Sequence, residues 1–384
     1  MRLPGEKLWC AWEGGDEMRR GGALIGAWLL LAAFAQPAPN LAYDLSAASA
    51  DEQVSAPSTQ PPEPGEQYPP RLADQATNRP QAAAQPRPNG PDWRLTVDAS
   101  TIADSNLTNS TDSESVDLHL GGTVLPTPLN PELREHGGIG VGLSVHARGR
   151  VPVSPGFSVA LDGEGYVLEQ EGRIADDASA LIAAGIEHNS GSGATAMVQV
   201  TAFDRRHAGV SAMRGLGARG RLRVPVGSGQ AASLFVDARF FDSDYGEDFG
   251  GTEAGAYLSY EAVLRPDLSA SASVYARGSW LGANAYSNRE LGAYGGLNHY
   301  LSGDLLAGIS AGISRVAFEG PIAILSPDPR QDWRWYASLH VATREPLLVG
   351  LTPSLTYTYS RTGSSIEYYR AERHRLRLGL SRTF

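Results

Sequence analysis

The sequence predicts an all-β fold, a transmembrane antiparallel β-barrel of about 14 strands behind a signal peptide and a disordered Pro-rich linker. Three observations predict it. Segments of alternating apolar and polar residues recur from Trp93 onward at roughly 20-residue spacing, divided by Gly, Asp, Asn, Ser and Pro. An export signal precedes them. The chain then ends on a strand with one apolar face, Leu376, Leu378, Leu380 and the terminal Phe384, the usual closing strand of an outer-membrane barrel.

The export signal begins at Met18-Arg-Arg, which leads into the apolar run Ala23–Phe34 and a small-residue cleavage motif, Ala33-Phe-Ala35. Residues 1–35 are read as the signal region, with Met18 as its true start. An uncleaved membrane anchor is the alternative, but the run is short for the ~20 residues of a full span. No later run approaches that length. The only cysteine, Cys10, lies upstream of Met18, so the exported chain is expected to hold no disulfide and no thiolate metal site.

Residues 36–91 hold 12 of the 25 prolines and almost no large apolar side chains. Such a segment cannot bury enough surface to offset its ordering entropy, so it reads as an extended, disordered linker. A proline-rich docking arm is the alternative.

Residues 92–384 are read as the barrel. Trp93, Leu95 and Val97 open it. Ile139–Val145, Val159–Val167, Ala180–Ile186 and Ala194–Val200 follow, each alternating in one phase. Leu216–Val224, Leu234–Phe240, Ala254–Tyr260 and Ala272–Trp280 continue it. Leu291–Leu297, Leu305–Ile313, Trp333–Val341, Leu355–Tyr359 and the terminal strand complete it. Glycines within the segments permit the bends of a closed cylinder. Aromatics near segment ends, among them Tyr166, Phe240-Phe241, Trp280, Trp333 and Trp335, fit a boundary girdle. A soluble sandwich would also alternate; the export signal, segment length and aromatics favour the barrel.

Gly191-Ser-Gly193, Gly227-Ser-Gly229 and Arg265-Pro-Asp267 read as tight turns. Ser100–His136, Arg205–Val210, Ser243–Gly251, Gly282–Asn288 and Glu319–Gln331 read as longer loops, placed outside the cell. Asp104-Ser-Asn-Leu107 and Asp242–Asp248 lend that rim acidic character.

The polar phase carries the candidate lumen charges Asp162, Glu164, Arg219, Arg221, Arg223, Asp237, Arg239, Arg277 and Arg334, with Glu253, Glu261 and His340 beside them. Arg219, Arg221 and Arg223 are the strongest run of one sign. Two readings stand open. Opposed charges produce a transverse field that orients a polar solute, or ion pairs simply brace the wall.

Covalent chemistry finds little support. Ser338 and His340 share a face, but they are read as polar lumen side chains and not as a catalytic pair. The remaining histidines are isolated and no cluster has metal-ligand spacing, so no cofactor is implied. The net charge of −10 argues against a nucleic-acid partner.

Four stretches carry a family resemblance: Asp332-Trp-Arg-Trp335, Gly350–Tyr359, Arg361–Arg370 and the closing Leu376–Phe384. With Asp104-Ser-Asn-Leu107 behind an opening tryptophan strand, they resemble the C-terminal barrel domain of the surface lipoprotein assembly modifiers, the Slam family, over residues 93–384. The resemblance implies a non-enzymatic barrel in the outer membrane of a Gram-negative cell. It would contact membrane lipid and the barrel assembly machinery, the latter through its C-terminal strand. It would also help a client lipoprotein or secreted protein reach the cell surface. The chain departs from the family in carrying a Pro-rich linker where Slam proteins carry helical repeats. A general or solute-selective diffusion porin is the rival reading.

Overall fold

The computed structural model describes residues 90–120, 122–171, 176–301, 305–343 and 350–384. The signal region and nearly all of the linker read over 36–91 lie outside the described residues. The first barrel strands are β1 (Asp92–Asp104), β4 (Gly138–Ser154), β5 (Phe157–Gln170), β6 (Asp177–Asn189) and β7 (Thr195–His207). Next come β8 (Val210–Gly227), β9 (Gln230–Asp242), β10 (Gly251–Arg265), β11 (Leu268–Leu281) and β12 (Asn288–Tyr300). The last are β13 (Leu305–Phe318), β14 (Gln331–Thr343), β15 (Thr352–Ser364) and β16 (Ala371–Thr383). β2 (Ser115–Leu120) and β3 (Thr123–Pro128) form a separate hairpin within the β1–β4 connection.

The 14 strands form one closed antiparallel barrel in which each strand pairs with its neighbours in sequence and β16 returns to β1. Closure satisfies the backbone N–H and C=O groups that an open sheet edge would leave to hydrocarbon. The terminal phenylalanine takes part, because Phe384 and Leu95 exchange backbone hydrogen bonds of 2.8 and 3.2 Å.

Side-chain alternation is sharp. Val198 is 68% exposed and the adjacent Gln199 only 1%. On a soluble protein, a row of exposed valines, leucines and isoleucines would be a liability. Here that row runs around the whole outer face, through Ile139, Ile182, Val200, Leu216, Leu291 and Leu378. Leu376, Leu380 and Phe384 of the closing stretch share it. The buried or half-buried phase lines the lumen.

The two rims differ. Pro155-Gly156, Ser228-Gly229 and Pro266-Asp267 make tight turns at the rim that also holds the start of β1 and the end of β16. The opposite rim carries the long connections 105–137, 243–250, 282–287, 319–330 and 365–370, the asymmetry behind the expectation that these loops lie outside the cell. One expected long loop, Arg205–Val210, is instead a two-residue turn. β7 runs to His207 and β8 starts at Val210, while Ala208 and Gly209 take φ of 49° and 84°. Both residues lie in the left-handed region that a tight hairpin turn requires.

The loop read from Ser100 starts later, because β1 continues to Asp104. The 105–137 connection is a strap across its neighbours. Ser105 N–H donates to the His374 carbonyl (2.9 Å), Thr111 Oγ1 to that of Glu367 (3.1 Å), and His119 N–H to that of Ile324 (2.8 Å).

Candidate functional site

The lumen wall over β4–β8 is an ion-pair network built from one side chain after another in the inward phase. Arg150 on β4 reaches Glu187 on β6 (2.8 Å) and Asp162 on β5 (3.0 Å). Gln199 on β7 donates to Asp162 (2.6 Å) and accepts from Arg219 Nε on β8 (2.8 Å). Arg219 also lies 3.3 Å from Asp162 and 3.7 Å from Glu164. Adjacent strands stand about 4.8 Å apart, so long side chains span two strands and carry the network around five. Closer to the inner rim, Arg223 pairs with Glu261 (3.3 Å), whereas Arg221 is exposed and has no ion-pair or hydrogen-bond partner among the described residues.

The wall over β9–β14 is aromatic. Phe235, Tyr257, Tyr275 and Tyr294 occupy inward positions on consecutive strands. Ring centroids are 5.9, 5.3 and 6.2 Å apart from each to the next. Tyr336 on β14 continues the arc across Gly312. An added Cβ at Gly312 would meet the Tyr336 ring at 2.2 Å and Tyr294 Cβ at 2.9 Å. Gly292 makes the same room for Tyr275, whose ring would stand 2.4 Å from such a Cβ. The Tyr275 hydroxyl donates to Glu290 (2.8 Å), while that of Tyr336 is buried without a partner among the described residues.

The remaining candidate charges pair within this second wall. Asp237 lies 3.5 Å from Arg239, which also stands 5.5 Å over the Phe203 ring, and Arg277 lies 3.4 Å from Glu253. Arg334 bridges Glu290 (3.8 Å) and Asp332 (3.7 Å). Positive and negative groups therefore meet along the wall, not in two facing ladders. Ser338 and His340 share the inward face without bonding each other. Ser338 turns to Thr358 (3.4 Å) and His340 to Thr356 (3.2 Å). No group of three or more His, Cys, Asp or Glu among the described residues is arranged to hold a metal ion.

At the rim of long loops Arg330 is stacked between the rings of Phe318 and Tyr369, 3.8 Å from each, and pairs with Asp332 (3.1 Å). Burial lowers the proton affinity of this guanidinium, and Asp332 opposes that effect.

Three groups escaped the sequence reading. Asp104 is not a rim acid. It is a buried carboxylate at the β1–β16 seam, 2.7 Å from Arg373 and 2.9 Å from Arg375, with Asp98 and Arg377 paired further along. Arg150, Glu187 and Gln199 were passed over because one buried charge per strand leaves no local pattern. The tyrosine arc was visible only as parity: Tyr257, Tyr275, Tyr294 and Tyr336 all fall in the polar phase of their strands. Tyr166 and Phe241, read as girdle aromatics, also take the inward phase, beside Glu164 and Arg239 respectively.

A closed up-and-down barrel with an apolar outer face and a polar, ion-paired lumen defines a transmembrane β-barrel protein of the outer-membrane type. Residues 93–384 match the family model described as surface lipoprotein assembly modifier, and the chain belongs to that family. No curated protein matches the chain. Among solved structures, it is similar to the outer membrane channel DcaP of Acinetobacter baumannii, at 9% identity and a TM-score of 0.44, over 79% of this chain and 100% of that one. A loop-deletion mutant of OmpT from Vibrio cholerae gives 9% identity and a TM-score of 0.40, over 77% and 100%. OpdK of Pseudomonas aeruginosa gives 11% and 0.40, over 76% and 99%.

Proposed function

We propose that this barrel assists the translocation or surface display of a client lipoprotein or secreted protein and performs no covalent chemistry. The observation that carries this reading is the family match, which spans the whole barrel from its first strand to its last residue. In the same reading, residues 1–35 are a cleaved signal peptide, 36–91 a Pro-rich linker, and the C-terminal strand the handle of the barrel assembly machinery. Outer-membrane lipid covers the apolar wall. The lumen charges meet the client as a neutralised, braced surface.

The test is surface display. Cells that produce a lipoprotein encoded beside the barrel are compared with and without the barrel, by antibody binding and protease shaving of intact cells. Display is expected to fall when the barrel is deleted, and to fall again when residues 36–91 are removed. Unchanged display, with steady single-channel conductance in planar bilayers, would establish the diffusion-porin reading instead.

A further inference from the structure

The outer face ends differently at its two rims. At the extracellular end, outward positions include five arginines: Arg206 on β7, Arg214 on β8 and Arg289 on β12, which pair with Asp204, Asp244 and Glu319, and Arg315 on β13 and Arg361 on β15, which pair with no carboxylate among the described residues. At the other end, the outward positions hold Trp93, Phe157, Val226, Leu264 and Leu305, with Arg382 stacked 4.7 Å from the terminal Phe384 and Arg265 paired with Asp267 at 3.4 Å. The cationic collar is entirely arginine, since Lys7 is the chain's only lysine. A guanidinium fork matches phosphate oxygens in a way an ammonium does not.

The collar is densest over β13–β15. Register places Arg315 directly beside Trp333, and Trp335 directly beside Arg361. Arg315 stands 5.9 Å over the Trp333 ring and donates to the neutral Gln331 (2.9 Å), and no carboxylate among the described residues pairs with it. Arg361 is exposed and has no ion-pair or hydrogen-bond partner among the described residues. Its cross-strand neighbour Glu372 turns to His374, 3.4 Å away. Two strand spacings and two residues of rise put the two arginine backbones roughly 12 Å apart, with two half-exposed indole rings between them.

We propose that Arg315, Trp333, Trp335 and Arg361 form a binding site for a phosphorylated glycolipid of the outer leaflet, with phosphates on the guanidiniums and the sugar face on the indoles. The acyl chains would then lie down the apolar wall below, along Ile313 and Leu339, which both point outward and are exposed. Indole faces suit sugar rings as well as the membrane boundary, and desolvated Arg–phosphate pairs rank among the stronger charge-assisted bonds.

The test uses the barrel folded in nanodiscs of neutral phosphatidylcholine, with lipid A as the probe and bound glycolipid counted by native mass spectrometry. The double variant Arg315→Gln/Arg361→Gln is expected to bind at least about tenfold more weakly, whereas Arg382→Gln at the other rim stays within about twofold. Enzymatically dephosphorylated lipid A should lose affinity for the wild-type barrel to a similar degree. That arm decides the matter even if the double variant fails to fold on cold gels. Four results would overturn the proposal. They are wild-type affinity in the folded double variant, undiminished binding of dephosphorylated lipid A, equal loss in Arg382→Gln, and competition by inorganic phosphate at the glycolipid's own concentration, which would mark a site for any free anion.

Discussion

The β4–β8 wall and the β9–β14 wall face the same lumen and are stiffened by different means. In the first, Asp162 collects Arg150, Arg219 and Gln199 within 3.3 Å, so this one carboxylate is held by three partners. In the second, rings lie over glycines and the ion pairs are longer, at 3.4–3.8 Å. Confined carboxylates and guanidiniums are costly to leave alone, so the first wall has more to lose when one member is removed. Aromatic packing is less directional, and its weak point is steric room. The lesson is that one inward phase can be satisfied by electrostatics or by shape, and the side chain nearest the wall decides which.

The largest expected effect therefore falls in the charged wall. Asp162→Ala should cost about 3–5 kcal/mol, because Arg219 loses its closest carboxylate in a water-poor setting. Urea titration of the heat-modifiable band in detergent reads it. A cost below about 1 kcal/mol would mean that the network is wet and the contrast between the walls false. In the aromatic wall, Tyr275→Phe removes a hydroxyl that donates 2.8 Å to Glu290 and should cost about 1.5–3 kcal/mol by the same titration. Gly312→Ala places a methyl within 2.2 Å of the Tyr336 ring and should cost about 1–3 kcal/mol, with a change in near-UV circular dichroism as the rings move. Tyr336→Phe should be the smallest effect. Its buried hydroxyl bonds to nothing among the described residues, so stability should shift by less than about 0.5 kcal/mol or rise. A loss as large as that of Tyr275→Phe would show that the Tyr336 hydroxyl has an acceptor after all.

Most of the barrel was legible because its rule is local. Every second residue from Ile139 to Val145, or from Leu376 to Leu380, repeats one choice, and a period of two needs no knowledge of distant partners. The site was less legible for the opposite reason. Asp104 and Arg373 are 269 residues apart and meet only because the cylinder closes, so Asp104 looked like a rim acid. Arg205–Val210 read as a loop because three charged residues, Asp204, Arg205 and Arg206, follow Phe203. In fact they keep the strand's alternation, Arg205 inward to Asp177 (2.6 Å) and Arg206 outward to Asp204 (3.2 Å). Tyrosine misled in a third way, since the same ring suits a membrane boundary and a packed lumen, and only its parity separates the two.

All of this depends on which face of each strand meets hydrocarbon. Adjacent residues of β8 test that directly, since Arg221 points inward and Leu222 outward, both are exposed, and the only native cysteine, Cys10, lies before the predicted mature start. Spin labels at Arg221→Cys and Leu222→Cys in liposomes should separate. The first should be relaxed by a water-soluble nickel chelate and the second by oxygen. Equal relaxation at the two sites, or the reverse order, would contradict the barrel as described.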